Sequence, residues 1–231
     1  CDSTNVLVDG TSGSEQDVIK PLTRIIKECK GKVIVSTFAS NVTRLNTLSK
    51  IAYSLGKSVG LVGQSMWRMV EIAKTCGYLS DLPNFVSERD IKNIDDDKIL
   101  IICTGSQGEP RGALNRIANG SHRDVSISNG DTVIFSSRVI PGNEVSISEM
   151  QNKLSDLGVD IIEASNECLI HVSGHPAQEE LSQMYSWVKP KSVIAVHGET
   201  RHINTHVKFA LEQQVGNALP GRNGSLIQLA P

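Results

Sequence analysis

The sequence lacks the features of a membrane protein or of a disulfide-stabilised secreted protein. No apolar run approaches the roughly 20 residues that a membrane span needs, and the opening stretch Cys1–Asn5 is polar, unlike a secretory leader. The five cysteines are an odd number, lie far apart and form no C-x-x-C pair, which excludes a C-x-x-C zinc site and indicates reduced thiols. We therefore expect a cytoplasmic protein with no membrane partner.

Strong charge of one sign and complete catalytic or dinucleotide motifs are also missing. The formal net charge is −2, so a site for a polyanion would have to be local, built from loops and helix N-termini. The fragment Gly105-x-x-Gly108 is not the full G-x-G-x-x-G fingerprint and has no matching acidic residue, which argues against a dehydrogenase. No Ser-His-Asp or Cys-His order with a nucleophile elbow is visible.

Alternating apolar runs and helical patterns are present, and they predict an α/β chain with a mostly parallel sheet. The near-continuous apolar runs at 33–38 and 98–103 are typical of buried parallel strands. Further strands are predicted at 5–8, 58–62, 131–136, 159–162, 168–171, 192–196 and 225–229. Ser14 followed by Asp17 resembles a capping box and predicts a helix start.

Small and polar residues follow several of the predicted strands. They are Ser40-Asn41, Gly105–Gly108, Ser136-Ser137, Ser173–His175 and His197-Gly198. Ligands of parallel sheets bind at the carboxyl ends of strands, and small residues with free backbone N–H groups favour anions. The pattern therefore indicates a binding edge.

Three of the six histidines fall within the stretch from His171 to Glu199, each beside a predicted strand. A histidine held at a strand end suits a metal ligand or a proton-transfer group, although it also suits a satisfied boundary residue. His171 and His175 are separated by a helix-breaking Ser-Gly pair, so this loop suits an anionic oxygen better than a helical metal pair. Asp2 offers a carboxylate to a metal, but its surroundings also suit a turn. We expect surface or supporting roles for His122, His202 and His206.

Eight segments together resemble the ribonuclease J family of metallo-β-lactamase-fold nucleases, which carry a β-CASP insertion. They run in the family's order along the whole chain: Asp2–Asn5, Thr37–Asn41, Cys103–Pro110, Arg116–Gly120, Gly130–Ser137, Ile140–Glu144, His171–His175 and His197–His202. The resemblance implies a Rossmann-like β-CASP domain with a parallel sheet, plus the returning C-terminal segment of a metallo-β-lactamase fold. It implies domain bounds of 1–11, 12–170 and 171–231.

The resemblance also implies roles for individual residues. Asp2 is similar to an aspartate that bridges two zinc ions, and His197 is similar to the last zinc ligand. His175 is similar to the catalytic histidine beside the scissile phosphate. The implied substrate-binding residues are His171, Val172, Ser173, Gly174 and His175, together with Ser40, Ser106 and Gln107.

The implied function is zinc-dependent hydrolysis of RNA, both 5′-exonucleolytic and endonucleolytic, in RNA processing (including rRNA processing) and decay. The implied partners are RNA and further copies of the protein, as a dimer or tetramer. The family's His-x-His-x-Asp-His cluster and its C-terminal domain are absent, so we expect a piece of a larger enzyme. We expect this piece alone to retain no zinc and to cleave no RNA. The alternative is a non-catalytic Rossmann-like module that binds a nucleotide or an RNA 5′ phosphate.

Overall fold

The computed structural model describes residues 1–165 and 168–228, and it divides into two compact units. The larger unit is Ser14–Val172, and the smaller unit combines Cys1–Gly13 with Ser173–Pro231. The predicted loop His171–His175 is therefore divided: its first two residues belong to the larger unit and its last three to the smaller one.

A five-stranded parallel sheet forms the centre of the larger unit, in the order β2-β3-β1-β4-β5. The strands are β1 (Val33–Ser36), β2 (Ser58–Val62), β3 (Ile99–Cys103), β4 (Thr132–Phe135) and β5 (Asp160–Glu163). Every residue of β1, β3 and β4 is buried, which explains their near-continuous apolar sequences. The predicted α/β class with a parallel sheet is confirmed.

Helices cover both faces of this sheet, and side chains of β1 pack against helices on each face. Val33 and Val35 pack with residues of α1 (Ile19–Glu28), α2 (Val42–Ser54) and α3 (Gln64–Thr75). Ile34, which points the other way along the pleat, packs with α4 (Ala113–Ala118) and α5 (Glu144–Asp156).

The polar starts of the first two helices follow from the sequence. Ser14 and Asp17 form the predicted capping box, in which each side chain accepts a backbone N–H of the other residue. This box opens the 3-10 turn that leads into α1. Asn41 caps α2 by accepting a hydrogen bond from the backbone N–H of Arg44 at 3.0 Å.

The smaller unit contains a two-stranded parallel sheet and two helices. Strand β6 (Ser192–Ala195) pairs with β7 (Asn217–Pro220), and the helices are α6 (Gln178–Val188) and α7 (Thr200–Glu212). Its core includes Val6, Leu181, Tyr185, Val193 and Phe209. Within the described residues no helix has both the length and the apolar character to cross a membrane.

Three of the predicted strands are wrong, and in each case the backbone bonds elsewhere. At 5–8 the chain turns, because the N–H of Val8 donates to the carbonyl of Asn5 at 2.9 Å. At 168–171 the carbonyl of Ile170 accepts from the side chain of Arg44 instead of from a strand. Residues 225–228 form no strand, and Leu229 lies outside the described residues. The strand after α7 is β7, which the sequence pattern did not predict.

Candidate active site

A short contact between two backbone segments sets up the candidate site in the smaller unit. Asp2 forms an isolated parallel bridge with Val196, directly after β6. The N–H of Val196 donates to the carbonyl of Cys1 at 2.9 Å. This pairing places the Asp2 side chain beside the next residue of the second segment, which is His197.

Asp2, His175 and His197 form one cluster, with candidate ligand atoms all within 4.8 Å of one another. Asp2 Oδ2 lies 2.7 Å from His175 Nδ1 and 3.2 Å from His197 Nδ1. The two imidazole rings stack with centroids 5.2 Å apart. The side chains are 28%, 41% and 65% exposed, in that order, so a ligand can reach them. The structure thus brings together three of the predicted site residues.

The carboxylate of Asp2 is engaged at both oxygens. Oδ1 accepts a hydrogen bond from the backbone N–H of Thr4 at 2.7 Å, while Oδ2 faces the two imidazoles. Burial alone would raise the pKa of Asp2, but the hydrogen bonds from Thr4 and His175 outweigh it and hold the pKa below its usual value. Asp2 is therefore an ionised acceptor, and the Nδ1 atoms facing it must carry hydrogen.

Neighbouring polar groups fix the backbone of His175. Its carbonyl accepts from Asn5 Nδ2 at 2.9 Å and from the hydroxyl of Ser12. Its N–H donates to Ser173 Oγ at 3.1 Å, and Asn5 Nδ2 also donates to that oxygen at 3.0 Å. Because Ser173 Oγ accepts two N–H groups, its own hydrogen remains available for a third partner. Gly174, between these residues, is exposed.

His197 has a backbone conformation that is unusual for a residue with a side chain. Its φ is 58°, in the left-handed region that disfavours a Cβ. The next residue is Gly198, where an added Cβ would lie 2.9 Å from His202 Cβ and 3.3 Å from Ser3 Cβ. His202 in turn accepts the backbone N–H of Glu199 at 3.2 Å and so caps α7. The glycine is needed here for close backbone approach.

A buried histidine, for which the sequence left a surface or a supporting role open, supports this unit from within. His206 is fully buried, with Nδ1 2.9 Å from Ser3 Oγ and Nε2 2.5 Å from the hydroxyl of Tyr185. Burial lowers the pKa of His206 to about 4 and raises that of Tyr185 to about 12. Its spacing from the buried Ile203 and Phe209 on α7 was the sequence feature that indicates burial. His122 is also buried, in the larger unit, so for these two histidines a surface role is wrong.

The remaining predicted site residues lie in the larger unit and differ in exposure. His171 is half-buried, and among the described residues its buried Nδ1 has no hydrogen-bond partner. Burial, helped by the charge of Arg44, lowers the pKa of His171 to about 4. Val172 packs against the core, Ser106 is buried and Ser40 is exposed.

Gln107 has a structural connection that its predicted role did not anticipate. Its side-chain Nε2 donates to the carbonyl of Arg138 at 3.0 Å, and its Oε1 accepts from the N–H of Ile140 at 2.9 Å. Oε1 also lies 3.2 Å from Asn143 Nδ2. The buried amide therefore joins the loop after β3 to the loop after β4. Substrate contact by Gln107 stays a prediction.

Arg44 is a second residue that sequence reasoning missed. It is fully buried, and its Nε and Nη2 donate to the two carboxylate oxygens of Glu15 at 2.7 and 2.9 Å. Its Nη1 donates to the carbonyl of Ile170 at 3.0 Å and to Ser136. Arg44 lies four residues before the buried Leu48 on α2, so helical spacing alone could have placed it on the buried face.

Comparison with known proteins agrees with this architecture. A family model described as "Ribonuclease J, beta-CASP domain" matches residues 30–154, and one described as "Zn-dependent metallo-hydrolase RNA specificity domain" matches residues 142–217. The chain is 45% identical over 231 residues to a ribonuclease J of Sinorhizobium meliloti, covering 100% of this chain and 41% of that protein. It is 43% identical over 213 residues to a ribonuclease J of Mycoplasma pneumoniae, covering 92% and 37%.

The fold and these matches define an α/β protein of the β-CASP class within the metallo-β-lactamase superfamily. The chain belongs to the ribonuclease J family. It spans about two fifths of the length of the two relatives described, 41% and 37%.

Proposed function

We propose that this chain supplies part of the active centre of a metal-dependent ribonuclease that hydrolyses phosphodiester bonds in RNA. The observation that carries the proposal is the cluster of Asp2, His175 and His197, in which Asp2 Oδ2 lies 2.7 and 3.2 Å from Nδ1 of the two histidines. The matches to ribonuclease J relatives and to an RNA specificity domain support RNA as the substrate. They do not favour the alternative of a non-catalytic nucleotide-binding module.

The donor set suits zinc. Zinc accepts imidazole nitrogen and carboxylate oxygen, and both imidazoles here direct Nδ1 towards Asp2. Since Nδ1 carries the hydrogen, each Nε2 keeps a lone pair. Among the residues that the structure describes, neither Nε2 has a hydrogen-bond partner. We assign the metal-binding role to Nε2 of His197, which is the most exposed member of the cluster.

Asp2 fits an outer role at least as well as the bridging role that the resemblance implies. A histidine that binds a metal commonly donates its other N–H to a carboxylate, which fixes the ring and its tautomer. Asp2 accepts from His175 Nδ1 at 2.7 Å and lies 3.2 Å from His197 Nδ1, and its second oxygen accepts from the N–H of Thr4. We therefore propose that Asp2 orients His175 and His197, while direct coordination by Asp2 stays a prediction.

His175 is the proposed proton-transfer group. Asp2 accepts the Nδ1 hydrogen at 2.7 Å and stabilises a positive charge on the ring, so Nε2 can accept and return a proton. The adjacent Ser173 hydroxyl has a hydrogen left to donate to a phosphate oxygen. When bound, zinc ions would lower the pKa of a water and stabilise the charge of the attacking and leaving oxygens. Two ions per intact enzyme remain the number that the resemblance implies.

The proposal extends to the location, the mode of cleavage and the assembly of the protein. The five cysteines are all free thiols, which supports a reducing, cytoplasmic location. The family resemblance supports both 5′-exonucleolytic and endonucleolytic cleavage, participation in rRNA processing, and a homo-oligomer.

Metal removal tests the proposed function. The full-length protein that contains this chain is treated with a chelator, dialysed and assayed on RNA with a 5′ monophosphate. We expect cleavage to fall by at least about 10²-fold and to return when zinc is added. RNA binding without any cleavage in the zinc-loaded protein, or cleavage that survives complete metal removal, would contradict the proposal.

A further inference from the structure

The hydroxyl of Thr4 makes two contacts with His197 that the proposed function does not use. Thr4 Oγ1 lies 2.9 Å from His197 Nδ1 and 3.2 Å from the carbonyl oxygen of the same residue. A third contact comes from the backbone of Thr4, whose N–H donates to Asp2 Oδ1 at 2.7 Å. One residue thus touches both the carboxylate and the proposed metal-binding histidine.

The directions of these hydrogen bonds follow from the hydrogens available. A hydroxyl has one hydrogen to donate and two lone pairs that accept. His197 Nδ1 lies 3.2 Å from an ionised carboxylate oxygen, which only accepts, so Nδ1 must carry hydrogen. Thr4 Oγ1 therefore accepts from Nδ1, and its own hydrogen is directed between the carbonyl of His197, at 3.2 Å, and the carboxylate of Asp2.

The two hydrogen bonds stabilise the backbone conformation of His197 and the orientation of its ring. The left-handed backbone, with φ of 58°, is held in part by the bond from the hydroxyl to the carbonyl. The Nδ1 hydrogen is donated to Thr4 at 2.9 Å, while Asp2 Oδ2 lies 3.2 Å from Nδ1. Because Asp2 Oδ2 already accepts a shorter bond from His175, at 2.7 Å, Thr4 is the nearer acceptor for His197.

We propose that Thr4 is a positioning residue, whose hydroxyl fixes both the backbone and the ring of His197 so that Nε2 presents its lone pair to a metal ion. This inference rests on the proposed function for the metal-binding role of His197. The hydrogen-bond geometry that carries it does not depend on that role.

Three substitutions separate the hydroxyl from the shape of the side chain. Thr4→Val keeps the branched shape and the backbone N–H to Asp2 but removes the hydroxyl, whereas Thr4→Ser keeps the hydroxyl. Thr4→Ala is the second variant without a hydroxyl, to be used if the valine variant does not fold. Thermal unfolding of the metal-free full-length protein establishes which variants are folded.

The probe is Co²⁺ alone, added to the metal-free full-length protein at a fixed pH. We measure its affinity by competition with a chelator and its ligand geometry by visible absorption. We expect Thr4→Val to bind Co²⁺ about 10–100-fold more weakly, the usual effect of losing an outer hydrogen-bond partner, and to show a changed spectrum. Thr4→Ser should restore both properties to within about threefold of the wild type.

A folded Thr4→Val or Thr4→Ala protein with wild-type affinity and spectrum would overturn the role of Thr4. Failure of Thr4→Ser to restore binding would overturn it too, since shape and not the hydroxyl would then matter. His197→Ala distinguishes this failure from that of the proposed function. If that variant keeps the wild-type Co²⁺ spectrum, His197 is no ligand and the proposed function itself is wrong at this residue.

Discussion

The carboxylate of Asp2 lies beside both imidazoles of the candidate site and orients them. It accepts from His175 at 2.7 Å, faces His197 at 3.2 Å and is itself held by Thr4. An ionised carboxylate accepts from both His175 and Thr4 and attracts the hydrogen on His197 Nδ1, whereas an amide has only one acceptor oxygen and brings donors of its own. The arrangement therefore depends on charge as well as on shape.

Asp2→Asn in the full-length protein should impair the site without unfolding it. Its amide nitrogen would face Nδ1 hydrogens, so one or both rings would turn or change tautomer. We expect metal affinity to fall by about 10–100-fold and cleavage of RNA by at least about 10²-fold. Asp9→Asn, at an exposed aspartate of the same unit, is the matched control and should change neither. Wild-type metal affinity in Asp2→Asn would contradict the orienting role.

Gly198 allows a second test at a single residue. An alanine Cβ there would lie 2.9 Å from His202 Cβ and 3.3 Å from Ser3 Cβ, and both neighbours are held by their own hydrogen bonds. We expect Gly198→Ala to lower the free energy of unfolding by about 1–3 kcal/mol, the usual cost of overpacking. Denaturant unfolding measures this change in the free energy of unfolding. Gly174→Ala is the control, because nothing lies within 4 Å of its added Cβ; equal effects of the two substitutions would refute the steric reason.

For single residues, the sequence predicted chemical roles but not long-range contacts. The chemistry of Asp2, His175 and His197 could be proposed from residue type and the strand-end pattern. The contacts of Thr4 and Arg44 could not, because they join positions far apart in the chain: Thr4 with His197, and Arg44 with Ile170. Nothing in a local pattern tells which distant carbonyl a side chain will reach.

Secondary-structure elements were predicted best where periodicity is strong. Strands β1 to β4 are almost wholly buried and have apolar sequences, so their bounds agree with the predicted ranges within two residues. The errors fall at 5–8, where a backbone turn forms, at 168–171, where the carbonyl of Ile170 accepts from Arg44, and at 225–228, where no strand forms. Strand β7 lies between Gly216 and Gly221 and ends in Pro220. Glycine and proline are unfavourable in strands, so the sequence shows no recognisable strand pattern there.

Helix α7 carries a titratable group whose effect on stability has a definite sign. His206 is neutral in the folded protein because burial lowers its pKa to about 4, against the partly compensating charge of Asp2. In the unfolded chain its pKa is about 6.5. The unfolded state therefore binds the proton more readily, so this contribution to stability is constant above about pH 6.5, falls as the pH falls towards 4, and levels off below that.

Replacement of His206 isolates this effect. Between pH 6.5 and 4 the wild type should lose about 1.4 kcal/mol of unfolding free energy per pH unit more than His206→Gln does. Denaturant unfolding of both proteins at pH 7, 6 and 5 measures the difference in slope. His206→Gln should be less stable at pH 7, because it cannot reproduce both bonds to Ser3 and Tyr185. Parallel pH profiles would show that His206 is not buried in its neutral form.

The whole chain has the sequence and the fold of the ribonuclease J family. The β-CASP match covers residues 30–154, and relatives named ribonuclease J match this chain over nearly its whole length. The chain spans 41% and 37% of two such relatives, so the tests of activity use the full-length protein. Sequence reasoning predicted this fold class and the three clustered residues, but the tautomers and the outer partners of the histidines required coordinates.

The central claim is that His197 binds the metal and His175 transfers a proton. The most direct measurement compares His175→Ala with His197→Ala in the full-length protein, by metal content and by the rate of RNA cleavage in a single turnover. We predict that His197→Ala loses metal and cleavage together, whereas His175→Ala keeps its metal and cleaves about 10²–10⁴-fold more slowly. Equal metal loss in the two variants would contradict the separate roles.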